Sequence, residues 1–462
     1  MTEGTNSSGT APSRENINET LTKVRQRSLD IVAPVSDPGL RKQHSPLMSP
    51  IVWDLGHIAE FEDLWLVRRL GEVVGESALP EAFDATRTPR SQRGELDLPD
   101  LAAVLERLEQ VRAEALEMLQ RVDLAGSENR LLREGFVYEL VREHEAQHQE
   151  TILQTISLME SGSYMPVSRV KFEPSGSALP GKMIDVPAGA FEMGAPSGPF
   201  AYDNERPRHT ARTGSFEIGR FPVTNGEFLE FVAGGGYDDP ALWTTAGWSW
   251  KEEAGVAVPR YWRPKGQGES LTARTAAEVA RSGGANAWER TTSLGPEPLG
   301  ATDPVVHVSH HEAEAYARFA GARLPTEAEW EKAAAWDPDT GESLPYPWGT
   351  EPPGPHLANL DAAAFGVAPV GTFPAGRSPV GCEQMLGDAW EWTSSPFGGY
   401  PGFVPYPYEE YSAVFFGTDY VVLRGASWAT DAGVARNTFR NWDYPIRRQI
   451  FAGFRIARGE SR

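Results

Sequence analysis

The chain is nearly without cysteine: Cys382 is the single one in 462 residues. One thiol excludes a disulfide framework and any intramolecular cysteine pair for metal or redox work, and it fits a reducing, cytoplasmic setting. Positive charge is also in short supply. Lys and Arg total 43 against 64 Asp and Glu, a formal charge of −21, so the basic patches of a nucleic-acid binder are not expected. No apolar run approaches the ~20 residues of a membrane span, and no membrane partner is expected. Residues 1–14 are polar, lack an apolar signal core and read as a disordered tail. No glycine-rich dinucleotide loop follows a strand, so nothing calls for a nicotinamide or flavin.

What is present changes character near residue 175. Before it, glycine is rare and apolar residues recur at helical spacing. The periodicity predicts helices over Asn16–Val32, Ser49–Leu70, Asp100–Arg121 and Arg133–Met159, a four-helix bundle spanning residues 15–170. Bundles build metal sites from side chains on facing helices. A stretch with Pro, Gly and Ser, residues 171–182, reads as a linker. From 183 to 462 Gly, Pro and Trp punctuate short strand-like runs such as Met183–Val186, Phe216–Ile218, Val421–Arg424 and Gly453–Ile456, and 12 of the 14 tryptophans lie here. Helices are expected around Asn225–Val232, over His310–Ala320, and after the capping signature Thr326-x-x-Glu329. The fold class is therefore a helical domain followed by an irregular α+β domain, in which loops carry binding residues.

The chemistry concentrates in Arg142-Glu-His-Glu-Ala-Gln-His-Gln-Glu150. His144 and His148 are four residues apart on a predicted helix, so both imidazoles can reach one metal ion. The string His144-Glu145-x-x-His148 also spells a zinc-protease signature with a glutamate general base. That reading lacks a downstream third ligand and a substrate-cleft strand pattern. Glu145, turned about 100° from the ligand face, is assigned instead to the helix surface or to support of the ligands. His57 is the best third ligand, since it lies on the helix expected to face the fourth. Three neutral imidazoles leave positions open on a ferrous ion for O2 and a substrate. Asp54, three residues earlier, either orients His57 or is an ordinary solvated acid. For each histidine taken alone, an ordinary hydrogen-bonded core or surface residue is the competing reading.

The second part resembles the formylglycine-generating-enzyme (sulfatase-modifying factor) domain family. The resemblance rests on Phe191-Glu-Met-Gly194, Phe221-Pro-Val-Thr-Asn225, Pro304-Val-Val-His-Val-Ser309, Arg323-Leu-Pro-Thr-Glu-Ala-Glu-Trp330, Pro347-Trp-Gly349, Gly387-Asp-Ala-Trp-Glu-Trp-Thr393, Leu423-Arg-Gly-Ala-Ser-Trp428 and Gly453-Phe-Arg455. It implies a C-type-lectin-like irregular α+β fold, with Trp330, Trp390 and Trp392 in its core. The first part resembles a DinB-type bundle, a family that places three histidines around a metal. The two together resemble the ergothioneine-biosynthesis sulfoxide synthases (hercynine oxygenases), through Pro46-Leu-Met-Ser-Pro-Ile-Val-Trp-Asp-Leu-Gly-His57, His144-Glu-Ala-Gln-His148, Arg440-Asn-Trp-Asp443 and Pro445-Ile-Arg-Arg-Gln-Ile-Phe-Ala-Gly453.

Carried over residue by residue, this resemblance implies Fe(II) held by His57, His144 and His148. Arg90 and Arg93 match a pair that clamps the carboxylates of γ-glutamyl-cysteine, a task suited to guanidinium forks; Arg87 is a companion. Asp443 would meet the ammonium of the thiol substrate. Gln147 and Asn441 would place oxygens around the trimethylammonium of hercynine, with Trp442 as a cation–π surface. Tyr400 matches a tyrosine that donates a proton or hydrogen atom during oxygen chemistry. The implied reaction joins hercynine to the thiol sulfur with O2 and gives a sulfoxide. Alternatives are a relative using cysteine, a selenosugar or histidine itself, or a non-catalytic lectin-like binding protein. A formylglycine-generating enzyme proper would need a copper-binding cysteine pair that Cys382 alone does not supply.

Overall fold

The computed structural model describes residues 12–71, 81–124, 128–173, 180–198, 200–266 and 271–459. It divides into two units, Met1–Val167 with Pro196–Phe200, and Ser168–Ala195 with Ala201–Arg462. The segment read as a linker at 171–182 thus falls within the span of the second unit, with 174–179 outside the described residues. Among the described residues no helix is long and apolar enough to cross a membrane.

The first unit is a bundle of long helices. Helix α1 (Arg14–Val32) starts where the Ser13 hydroxyl accepts from the Asn16 amide, satisfying one of the unpaired N–H groups of a helix start. Helix α1 therefore starts at the edge of the stretch expected as tail, of which residues 1–11 are outside the described part. Ile17, Leu21, Val24, Ser28 and Ile31 form the buried stripe of α1, spaced three and four apart as a core-facing helix requires. A short α2 (Asp37–Arg41) follows.

Helix α3 (Ile51–Glu62) is buried on nearly every side. It is shorter than the expected Ser49–Leu70: Pro50 occupies the N-cap, and past Glu62 the backbone widens into a π-turn, Asp63–Arg68. There Asp63 accepts from Arg68 at 2.7 Å and from Arg107 at 3.1 Å. Helix α4 (Leu101–Arg121) is capped by Asp100 and buries Val104, Leu108, Val111, Ala115 and Leu119. Helix α5 (Phe136–Ile156) starts later than expected, because Glu134 and Gly135 sit in the left-handed region at φ 54° and 73°, which a helix cannot include. Helix α1 packs on α5, and α3 packs on both α4 and α5.

The second unit is built from short sheets. Strands β1 (Met183–Val186) and β4 (Phe216–Gly219) pair antiparallel and are extended by β12 (Ala457–Arg458). Strand β2 (Gly189–Met193) pairs with β3 (His209–Thr213). Strands β5 (Trp262–Pro264), β6 (Trp288–Thr292) and β7 (Gly295–Pro298) form a meander. The remaining sheet runs β10 (Asn441–Asp443), β9 (Val421–Arg424), β8 (Trp390–Pro396) and β11 (Ala452–Gly453). The expected strand at Gly453–Ile456 is interrupted: pairing stops at Gly453 and resumes at Ala457, and between them Arg455 sends its guanidinium into the core onto Glu391 at 2.6 Å.

Helices α6 (Asn225–Ala233), α9 (His310–Phe319) and α10 (Glu327–Ala335) stand near their expected positions, each opened by a capping box from Thr224, Ser309 or Thr326. Two more, α7 (Thr245–Glu253) and α8 (Ala273–Gly283), escaped the periodicity reading. The buried face of α8 is Ala276, Ala277 and Ala280, residues too small to mark an apolar stripe. Trp330, Trp390 and Trp392 are buried in the interior.

Candidate metal centre

His57 projects from α3, and His144 and His148 project from α5. One ligand atom from each lies within 4.8 Å of the others, and the ring centroids are 4.6–5.1 Å apart. The i,i+4 spacing aligns the α5 pair, and the packing of α3 on α5 brings in the third ring. All three are half-buried.

The hydrogen bonds select which nitrogen faces the centre. His57 donates from Nδ1 to the Phe83 carbonyl at 2.8 Å, and a carbonyl can only accept, so the lone pair sits on Nε2. His148 donates from Nδ1 to Asp54 Oδ1 at 3.0 Å, with the same consequence. The expected pairing of Asp54 with His57 is therefore corrected. The carboxylate leaves α3 toward α5 and orients His148, while a loop carbonyl orients His57. Asp54 Oδ2 is buried with no hydrogen-bond partner among the described residues.

Burial, then the neighbouring His148 ring and the Arg93 and Arg90 charges, holds His57 well below the usual imidazole pKa, against the Phe83 bond. Burial and the other two histidines do the same to His144. Neutral imidazoles with free lone pairs are the form that coordinates a metal. The donor set and tautomers fit a ferrous ion with positions left over.

Aromatic rings brace the cluster. Trp53 stacks on His57 at 4.9 Å and 16°, and Phe61 stacks on His144 at 3.6 Å and 8°. These lie four residues before and after His57, a spacing that could have drawn attention to both. Phe83 and Ser49 carried no such signal. Phe83 reaches the site because residue 56 is glycine: a Cβ there would come within 2.2 Å of the Phe83 ring.

Of the arginines, Arg93 is buried. It stacks over Trp53 at 3.4 Å, with Nη1 on Ser49 at 2.8 Å and Nε on the Thr88 carbonyl at 2.9 Å. Burial and the nearby Arg90 pull it down to about 10, with Asp54 acting the other way, so it stays charged at neutral pH. Arg90 is exposed. Among the described residues no carboxylate forms an ion pair with either. Arg87 differs: it is exposed and bound to Glu81 at 2.5 Å, so its charge is already spent on a local acid. Gln147 is half-buried on α5, three residues after His144 and one before His148.

Glu145 corrects another expectation. It is buried, not on the helix surface, and takes Arg25 at 2.8 Å, Arg112 at 3.1 Å and the Ser28 hydroxyl at 2.8 Å. Both carboxylate oxygens are occupied, which leaves no base for a metal-bound water.

The other sequence candidates belong to the second unit. Tyr400 is buried against Phe191 and Met193, with its hydroxyl 3.4 Å from Glu327 and Arg440 over its ring at 4.2 Å. Burial and the Glu327 charge raise its pKa well above the usual phenol value. Asn441, Trp442 and Asp443 are half-buried on β10. Trp442 stacks on Phe397 at 4.1 Å and 8°, so one face is covered. Asp443 pairs with Arg447 at 3.2 Å, a cation not singled out in the sequence.

Residues 169–460 match the sulfatase-modifying factor enzyme 1-like domain family, and residues 20–152 match the DinB superfamily. The chain is 43% identical over 455 residues to a hercynine oxygenase of Mycolicibacterium smegmatis, covering 96% of this chain and 99% of that one. It is 44% identical to a hercynine oxygenase of Mycobacterium tuberculosis over 443 residues, 95% and 97% of the two chains. A formylglycine-generating enzyme of Mycobacterium tuberculosis is 34% identical over 245 residues, 47% of this chain and 74% of that one.

Proposed function

The chain belongs to the hercynine oxygenase family, and from that premise we propose that it is a non-haem Fe(II)- and O2-dependent sulfoxide synthase. As an oxygenase of the ergothioneine pathway, it would join hercynine to the sulfur of γ-glutamyl-cysteine. The observation that carries the reading is the convergence of His57, His144 and His148 within 4.8 Å, with two of the three tautomers set by Phe83 and Asp54.

The balance needs no further redox partner. One C–H and one S–H are lost, a C–S bond and an S=O bond form, and O2 is reduced by four electrons to the sulfoxide oxygen and one water. Bound Fe(II) would supply the activation of O2 and a meeting point for the substrates. The chain's own residues would do the rest. The imidazoles hold the metal, Asp54 and the Phe83 carbonyl fix His148 and His57, and Trp53 and Phe61 stop the rings from turning. Arg90 and Arg93, free of carboxylate partners, favour a dicarboxylate thiol such as γ-glutamyl-cysteine over cysteine. Gln147, Asn441 and Trp442 are the candidates for hercynine, Asp443 for the substrate ammonium, and Tyr400 for the proton or hydrogen-atom donor. To serve in that role the Tyr400 hydroxyl would have to leave Glu327, which it faces at 3.4 Å.

The test is anaerobic reconstitution with Fe(II), then O2 with hercynine and either γ-glutamyl-cysteine or cysteine, followed by mass spectrometry. The sulfoxide conjugate is expected, more from the peptide thiol. His144→Ala should lose both iron and product. A protein that binds iron but forms no conjugate with any thiol would overturn the proposal.

A further inference from the structure

We propose a second metal site in the protein, formed by His310, His311 and Glu314 on α9, for a divalent transition ion such as Zn(II). Glu314 is four residues after His310 and three after His311, so one carboxylate can meet both rings. One ligand atom from each lies within 4.8 Å of the others.

The hydrogen bonds give the cluster its direction. His310 Nε2 is 3.1 Å from the Thr393 carbonyl. That oxygen can only accept, so Nε2 carries the proton and the lone pair is on Nδ1. Nδ1 then stands 3.7 Å from Glu314 Oε2, a lone pair opposite a carboxylate oxygen, with His310 only 8% exposed. A cation between them removes the repulsion. His311 Nδ1 is itself buried without a hydrogen-bond partner among the described residues. A buried polar atom left in this way is costly unless something binds it. Arg318 also lies near Glu314, at 3.9 Å.

Two imidazole nitrogens and one carboxylate oxygen are a ligand set for Zn(II), with remaining positions left to water, whereas Mg(II) and Ca(II) prefer oxygen alone. The first turn of a helix carries partial positive charge, which opposes a cation. Here Glu312 takes the Ser309 amide and hydroxyl at 2.8 Å each and is paired with Arg448 at 2.9 Å, so the negative charge offered to the ion is that of Glu314.

Metal counting tests the proposal without reference to activity. Apoprotein is dialysed against Zn(II) and the bound metal measured by plasma mass spectrometry, with circular dichroism on every variant. The wild type should hold two equivalents. Glu314→Gln, a near-isosteric change at a partly exposed position, and His311→Ala should each hold one. His57→Ala should keep one equivalent, at α9. One equivalent in the wild type, two persisting in Glu314→Gln, or none in His57→Ala would overturn the site.

Discussion

The two units bury the same ion pair, arginine with glutamate, and use it for different ends. In the bundle Arg25 of α1, Glu62 of α3, Arg112 of α4 and Glu145 of α5 form one closed cluster. Each helix gives one residue and the charges cancel, so the cluster fixes how the helices are rotated about one another. Arg25 and Arg112 each also give one N–H to a carbonyl of a neighbouring helix, Leu108 and Leu21, which adds to that fixing. In the second unit the guanidinium groups of Arg440 and Arg455 each bind two or more carbonyls, most of them in irregular chain. Arg440 takes Glu327 and the carbonyls of Asn204 and Gly398, and Arg455 takes Glu391 and the carbonyls of Gly219, Glu383 and Gln384. Irregular chain leaves carbonyls without ladder partners, and buried ones must be paired. Arginine, with five donors, replaces the missing secondary structure there.

The largest effects should come from cutting these clusters. Glu145→Ala leaves Arg25 and Arg112 with too little negative charge, and Glu327→Ala does the same to Arg424 and Arg440. Each should cost about 3–5 kcal/mol, read as a lower urea midpoint. If the roles differ as argued, Glu145→Ala reduces Fe(II) retention as α5 loses its fixed rotation. Glu327→Ala should leave the iron count unchanged. Equal iron loss in both would break the distinction.

Acid should act next, through His307 of the second unit. Burial lowers it to about 3, opposed by its bond to the Arg448 carbonyl and helped by Arg290, Arg260 and Arg448. Its unfolded value is near 6.5. The folded pKa is the lower one, so the unfolded chain binds the proton first. The stability His307 contributes is complete above about pH 6.5 and is lost as pH falls toward 3, a few kcal/mol in all. His307→Asn should flatten urea midpoint against pH in that window. An unchanged slope would show that the loss lies elsewhere.

A smaller effect is expected at Asp54. Asp54→Asn keeps the shape but not the charge that holds His148, and iron affinity should fall about 10–100-fold with little change in thermal midpoint. Competition with a calibrated chelator measures it.

The smallest difference separates two exposed arginines. Arg90→Ala should raise the KM for γ-glutamyl-cysteine by about tenfold at unchanged kcat. Arg87→Ala, losing its exposed pairs with Glu81 and Asp84, should shift stability by less than about 1 kcal/mol and KM hardly at all. Steady-state kinetics with γ-glutamyl-cysteine and with cysteine compares the two.

Legibility in the sequence followed the same division. Helical periodicity located α1, α4 and α5 to within a few residues, because apolar side chains every three or four positions are a local record of burial. It overran α3, since a π-turn keeps nearly the same pattern. In the second unit α6 and α9 stood near their expected positions and the capping signature at Thr326 marked α10, whereas the alanine face of α8 left no mark. The pair His144 and His148 was readable from spacing, and His57 from its motif. Glu145 was misjudged because its partners lie 33 and 120 residues away.

By itself the sequence determined which residues share a face. His144 and His148 align because the helix repeats every 3.6 residues, whatever surrounds them. Only the tertiary structure decided what each face meets. Asp54 turns to His148 and not to His57, Glu145 closes a charge cluster and does not face a metal, and Tyr400 points its hydroxyl at Glu327. Those outcomes depend on how helices and loops from distant parts of the chain pack, and on which buried polar groups must then find partners. No local repeat records that.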